Sequence, residues 1–175
     1  MKRLAAFLVL LMPTVALPAR PLSSPGLEMA IVNGASASAV LQAWCAARGL
    51  PPLAAQRLAS ETPPDPSVRA ALGARPGQII RHRRVRLACG GHTLSEADNW
   101  YLPGRLTKAM NRALDTTDVP FGLVARPLKF SRRTLQARRS NRGFEIRALL
   151  VSSAGAPFSY VIEDYGPELD STPGR

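Results

Sequence analysis

Gly90 and Gly91 stand between two runs that alternate apolar and polar residues, Ile79 to Leu87 and Thr93 to Leu102. A Gly-Gly pair in that setting specifies a two-residue β-hairpin, because both central residues of the favoured turn need positive φ. With these glycines at the turn, Cys89 faces His92 and the pairs run outward: Leu87 with Leu94, Val85 with Glu96, Arg83 with Asp98, Arg81 with Trp100. The other face pairs Arg86 with Ser95, Arg84 with Ala97, His82 with Asn99 and Ile80 with Tyr101. The first face is the more apolar and is the expected core side, yet it carries Arg83, Asp98 and Glu96. A buried charge needs a partner. Two arrangements supply one: a structural Arg83–Asp98 pair with Arg81 stacked on Trp100, or Arg83 at a pocket floor gripping a ligand carboxylate. A slip of one residue exchanges the two faces, so everything rests on the register.

Around the hairpin the pattern alternates between helix and strand. Val40, Leu41, Trp44 and Cys45 share one face of a helix that begins near Ser38 and stops at Gly49. A short strand is expected within residues 50–60, and one helical turn at Val68–Leu72. Leu106, Ala109, Met110, Ala113 and Leu114 line a second helix, and the TTDVPFG segment after it reads as a turn. The remainder reads as strands at Val124–Phe130, Thr134–Arg138, Phe144–Val151 and Phe158–Tyr165, the last two forming a hairpin through SSAGAPF. Helix, strands, helix, strands predicts an α+β fold built on an antiparallel sheet.

The chain has 175 residues, which suits one domain with a core of its own. Its net charge of +11 comes mostly from arginine, which supplies 20 of the 23 cations. The abundance of arginine, alanine and proline together is a compositional bias that weakens charge as a sign of function. The N-terminus places Lys2 and Arg3 before a short apolar run, Leu4 to Leu11, with small residues near Ala16 and Ala19. This is the pattern of a secretory signal peptide, too short for a retained span. The expected layout is a signal peptide at 1–19, a flexible lead-in at 20–35, one domain at 36–166 and a tail at 167–175, in the periplasm or secreted. In an oxidising compartment Cys45 and Cys89 are a candidate disulfide; two buried thiols are the alternative.

Several chemistries drop out. His82 and His92 have no Ser or Cys nearby in a triad-like arrangement, and two histidines with two cysteines lack zinc-ligand spacing. No phosphate loop or dinucleotide fingerprint is present, so no metal or cofactor is expected. The basic run Ser131–Gly143 lacks the interleaved aromatics of a nucleic-acid groove and reads as a solvated strand face.

The stretch RHRRVRLACGGHTLSEADNWYLP, followed by a helix and DVPFG, resembles the chorismate pyruvate-lyase and UTRA superfamily. Gly155-Ala156-Pro157 with Tyr160 is similar to the UTRA "G-x-P" turn and its tyrosine. The resemblance covers Ser38 to Tyr165. It implies an antiparallel sheet with flanking helices enclosing a small-molecule pocket. It also implies either binding of a small aromatic carboxylate such as chorismate, with cleavage to 4-hydroxybenzoate and pyruvate without metal or cofactor if the chain is active, or a non-catalytic UTRA-like small-molecule-binding protein of the periplasm. On the lyase pattern Arg83 takes the carboxylate, Asp98 orients Arg83, Trp100 and Tyr101 shape the walls, and Glu163 is the acid. Gap-free counting from Pro157 lands on Ile162, so Glu163 faces inward only if a one-residue bulge intervenes.

Overall fold

The computed structural model describes residues 24–34, 36–140 and 143–170. The expected signal peptide at 1–19 lies outside the described residues, as does the end of the tail. The elements are α1 (Ser24–Asn33), α2 (Ala37–Ala46), β1 (Ala54–Arg57), α3 (Pro66–Ala71), β2 (Arg81–Cys89), β3 (His92–Tyr101), α4 (Lys108–Thr116), α5 (Phe121–Val124), β4 (Ser131–Ser140), β5 (Gly143–Val151) and β6 (Pro157–Tyr165). The six strands form one antiparallel sheet in the order β1-β2-β3-β6-β5-β4, with β1 and β4 at its edges. The fold is therefore α+β.

Local chemistry explains the helix ends. Ser36 caps α2 by accepting from the Ala39 amide at 3.3 Å, and Asp65 caps α3 through the Ser67 amide at 2.8 Å, with Pro66 at the first helical position. Thr107 caps α4 by accepting from the Met110 amide at 3.1 Å. Leu41, Trp44 and Cys45 fall at i, i+3 and i+4 of α2 and are all buried. They join Leu27 and Ile31 of α1 over Val85, Leu87, Ala97, Ile146, Ala148 and Val161 of the sheet. A second cluster sets Met110 and Leu114 of α4 and Phe121 of α5 against Tyr101, Leu150 and Phe158. On the opposite face α3 packs, with Val68 and Leu72 over Trp100, Leu149 and Tyr160. The rest of that face is charged: Glu96 accepts from Arg84 and Arg86, and the Arg86 bond holds its carboxyl below the usual range.

Three expectations are corrected. The lead-in at 20–35 is helical over Ser24–Asn33, because Leu27 and Ile31 at i and i+4 reach the core. Residues Pro167–Asp170 of the tail form a 3₁₀ turn that buries Leu169. The strand expected at Val124–Phe130 is α5 followed by a 3₁₀ turn at Arg126–Leu128: Pro127 has no N–H for a ladder, and Phe121 and Ala125 bury one turn apart.

The hairpin forms, with Gly90 and Gly91 at φ 56° and 86°, but its register moves. Leu87 pairs with Ser95 and Ala88 with Thr93, leaving Leu94 as an extra residue. Beyond this bulge Val85 meets Ala97, Arg83 meets Asn99 and Arg81 meets Tyr101. Leu94 is fully buried, while Glu96 and Asp98 turn to the open face. The exchange puts an apolar side chain in the core and two acids beside Arg84 and Arg86, where solvent and cations stabilise them.

Cys45 of α2 and Cys89 of β2 are joined as a disulfide, with a Cα–Cα distance of 6.3 Å and a sequence separation of 44 residues. Closing a loop of that size removes unfolded-state entropy worth up to about 4 kcal/mol. Replacing both cysteines by alanine is expected to lower the unfolding free energy by about 2–4 kcal/mol. Urea denaturation checks this, and reductant should destabilise the wild type but not the variant.

Candidate functional site

The register shift decides what surrounds Arg83. Alternation places Arg83, Val85 and Leu87 of β2 on one face with Ala97, Asn99 and Tyr101 of β3 and Ser159, Val161 and Glu163 of β6. This is the face that α1, α2 and α5 cover. Arg83 is only 5% exposed. Its Nη2 donates to the Thr117 carbonyl at 3.5 Å, the limit of a hydrogen bond, and its Nε and Nη1 are buried without a partner among the described residues. Burial, and then the like charge of Arg57, push the guanidinium below its ordinary value. An arginine stays charged even so, so the site holds a desolvated cation with unmet donors.

Two spaces meet at that side chain. An inner cavity of about 40 Å³ lies between the sheet and the start of α2, lined by Ser36, Ser38, Asn99, Phe121, Phe130 and Glu163 among others. It has room for a few waters or a small anionic group. An outer cleft of about 540 Å³ runs along Arg57, Thr62, Pro63, Arg81, His82 and Tyr101. Arg83 lines both. The start of α2 adds helix-terminal amides and the positive end of the helix dipole to the inner cavity. Gly122 lets α5 approach this closely: a Cβ there would lie 2.9 Å from Ser36 Oγ and 3.0 Å from Ser38 Oγ.

Glu163 reaches the same cavity, and it is 7% exposed. The register steps between Leu150 and Val151, whose partners are Ser159 and Pro157, so the irregularity at Phe158 supplies the inward turn that gap-free counting lacked. Glu163 Oε2 accepts from Arg132 Nη2 and from the Tyr165 hydroxyl at 2.9 Å. The Arg132 side chain is 1% exposed. Burial opposes its charge, but Glu163 and Tyr165 more than offset that and hold the guanidinium above its ordinary value. The Tyr165 phenol is pushed up by burial and by the adjacent carboxylate.

The other expected site residues divide. Tyr101 is on the Arg83 face, 3% exposed, at the wall of the outer cleft and against Phe121 at 5.3 Å. Asp98 is not beside Arg83: the bulge turns it to the open face, where Oδ1 lies 2.8 Å from His82 Nε2 and Oδ2 3.8 Å from Arg84 Nη1. Trp100 turns with it, packing on the His82 ring at 4.9 Å and donating Nε1–H to the Thr62 carbonyl. Both are corrected for that one reason. Arg81 does not stack on Trp100 either; it pairs with Asp115 at 3.0 Å. Arg132, Asn99, Ser36 and Ser38 were not foreseen. Arg132 belongs to the run read as a solvated strand face; β4 does expose Arg133, Arg138 and Arg139, but alternation turns Arg132 inward.

The two buried arginines should respond oppositely to mutation. Arg83→Met removes an uncompensated charge and is expected to leave stability unchanged or to raise it by about 1–3 kcal/mol. Glu163→Leu strands Arg132 and should cost about 3–5 kcal/mol. Urea unfolding of both variants checks the contrast; a large loss in Arg83→Met would mean that the guanidinium is structurally satisfied.

No family model matches the sequence. The uncharacterized protein y4mC of Sinorhizobium fredii is 37% identical over 165 residues, covering 77% of this chain and 70% of that protein. Among solved structures, PhnF from Mycobacterium smegmatis superposes with a TM-score of 0.57 at 11% identity, covering 84% of this chain and 80% of the other. The effector domain of PhnF gives 0.54 at 12% identity, over 72% and 87%. The possible transcriptional regulator YydK from Bacillus subtilis gives 0.50 at 14% identity, over 70% of this chain and 61% of its own. The chain thus spans about three fifths of YydK. At these identities the structures establish the fold alone, the UTRA and chorismate-lyase-like α+β arrangement. By sequence, the chain belongs to the family of the y4mC protein of Sinorhizobium fredii.

Proposed function

We propose that this chain is a small-molecule-binding protein that takes a carboxylate ligand at Arg83 and does not cleave it. One observation carries the reading: a guanidinium 5% exposed, with two donor nitrogens unpaired, stands where an inner cavity meets an open cleft. Structural arginines in a dry core are paired, as Arg132 is by Glu163. Arg83 lacks such a partner, so a ligand oxygen would restore the bonds that burial took from it. Tyr101 and Phe121 offer aromatic surface beside it, which suits a ring attached to the carboxylate. The likeness to the effector domain of PhnF supports binding rather than turnover.

We also propose that the protein is exported, on the strength of its N-terminal pattern; the Cys45–Cys89 disulfide suits an oxidising compartment. Among the described residues no helix is long and apolar enough to cross a membrane.

Thermal-shift measurements with 4-hydroxybenzoate, chorismate and related aromatic acids test the binding. At a hundredfold excess over Kd, a ligand of the native state stabilises by about 2.7 kcal/mol. At least one acid should raise the melting temperature of the wild type, and none should shift Arg83→Met. Equal shifts in both proteins would remove Arg83 from the site.

The placement of Glu163 on the same cavity as Arg83 favours a second reading, a chorismate pyruvate-lyase. Its carboxylate is already engaged by Arg132 and Tyr165, which fits a fixed orienting group better than a mobile acid. Incubation with chorismate separates the readings. We expect no 4-hydroxybenzoate; turnover that disappears in Glu163→Gln would establish the lyase instead.

A further inference from the structure

Residues 58–65 form a strap along the outer cleft, and Glu61, Thr62, Pro63 and Pro64 line it. The strap is fixed at both ends. The Leu58 amide donates to the Arg84 carbonyl at 3.0 Å, and Asp65 caps α3. Between those points Thr62 is held by side chains of the sheet's open face. Its carbonyl accepts from Trp100 Nε1 at 2.9 Å, and its amide donates to His82 Nδ1 at 3.0 Å. Pro63 and Pro64 have no amide hydrogen to add.

These contacts fix the state of the imidazole. A backbone amide can only donate, so His82 Nδ1 presents its lone pair to Thr62, and the proton sits on Nε2, where it is given to Asp98 Oδ1 at 2.8 Å. The His82 side chain is 7% exposed, so water cannot readily replace a lost bond. A second proton would turn Nδ1 into a donor facing another donor.

We propose that His82 is a pH-operated latch on the outer cleft: neutral, it holds Thr62 and seats the strap beside the approach to Arg83; protonated, it releases Thr62 and frees the strap. The charged groups around it come from four elements. Asp98 on β3 bonds Nε2, Arg84 on β2 lies 3.8 Å from Asp98, Glu61 sits on the strap, and Asp164 on β6 is held above its ordinary value by burial and by neighbouring acids that include Asp98. Of the His82 contacts, the one to Thr62 demands an unprotonated nitrogen. The seated strap and a protonated Nδ1 therefore exclude each other, so acid that protonates the ring would release Thr62. The inference rests on the proposed ligand site only in taking the cleft as the ligand's route.

Amide hydrogen exchange of the full chain, read at Thr62 as a protection factor, tests the latch without any ligand. Between about pH 7.5 and about pH 5.5 the wild type should lose at least about tenfold in protection at Thr62, while the core amides of β3 hold theirs. His82→Gln keeps an acceptor for Thr62 and a donor for Asp98 but does not titrate, and its Thr62 protection should not change with pH. Nitrogen-15 NMR of the wild-type imidazole gives a second reading that needs no variant: Nδ1 should gain its proton at the pH where Thr62 loses protection. Constant protection in the wild type, or an equal loss in His82→Gln, overturns the latch, as does Nδ1 protonation that leaves Thr62 protected. Failure of 4-hydroxybenzoate to bind at either pH counts instead against the ligand reading, and these exchange results stand apart from it.

Discussion

Leu94 is fully buried in the extra position of β3, opposite the step from Leu87 to Ala88, and its burial fixes the register of every residue beyond it. A β-strand has a side-chain period of two, so one inserted residue exchanges the faces of all that follows. Here the exchange sends Glu96, Asp98 and Trp100 to the open face and brings Ala97, Asn99 and Tyr101 under the helices. Arg83 thereby loses the carboxylate that a regular hairpin would have set opposite it and gains an amide, Asn99. The unmet hydrogen-bonding capacity of Arg83 follows from the packing of a leucine far along the same hairpin.

The cavity sets two arginines against one acid. Arg132 and Glu163 neutralise each other with help from Tyr165, leaving the charge of Arg83 uncompensated nearby. The start of α2 adds positive potential from backbone amides. All of these groups are held by regular structure: Arg83, Arg132, Glu163 and Tyr165 on strands, and the amides on a helix capped by Ser36. The site is therefore preorganised, and a ligand meets little ordering cost in the pocket itself. The part we propose to move is the wall of the outer cleft, whose strap carries two consecutive prolines and is pinned between its ends by His82 and Trp100.

Much of this architecture was legible in the sequence. The Gly-Gly turn, the apolar stripe of α2, the second helix and the final hairpin all follow from periodicity and turn chemistry, and Arg83 stood out as a cation on an apolar face. The partner of Arg83 was not legible, because a bulge leaves no mark in a sequence whose residues on either side of it, Leu94 and Ser95, each suit a strand. The same limit applied at Phe158, where the irregularity that turns Glu163 inward was a possibility rather than a reading. Residues 124–130 misled for a different reason: a short apolar stretch fits a strand or a helix equally, and Pro127 was the discriminating residue. Arg132 was concealed by its neighbours, since one inward position in a run of arginines does not alter the average polarity of the run.

The same run has a consequence for solubility. β4 is a ten-residue edge strand, and its outward rim could template pairing with another chain. Arg133, Arg138 and Arg139 are exposed along it, and the register breaks between Thr134 and Gln136 at Leu135. Two copies brought rim to rim would set like charges against each other across a strand that is no longer straight. The arginines that first suggest a nucleic-acid surface thus work as a guard against edge-to-edge aggregation, keeping a small sheet with an open flank from growing.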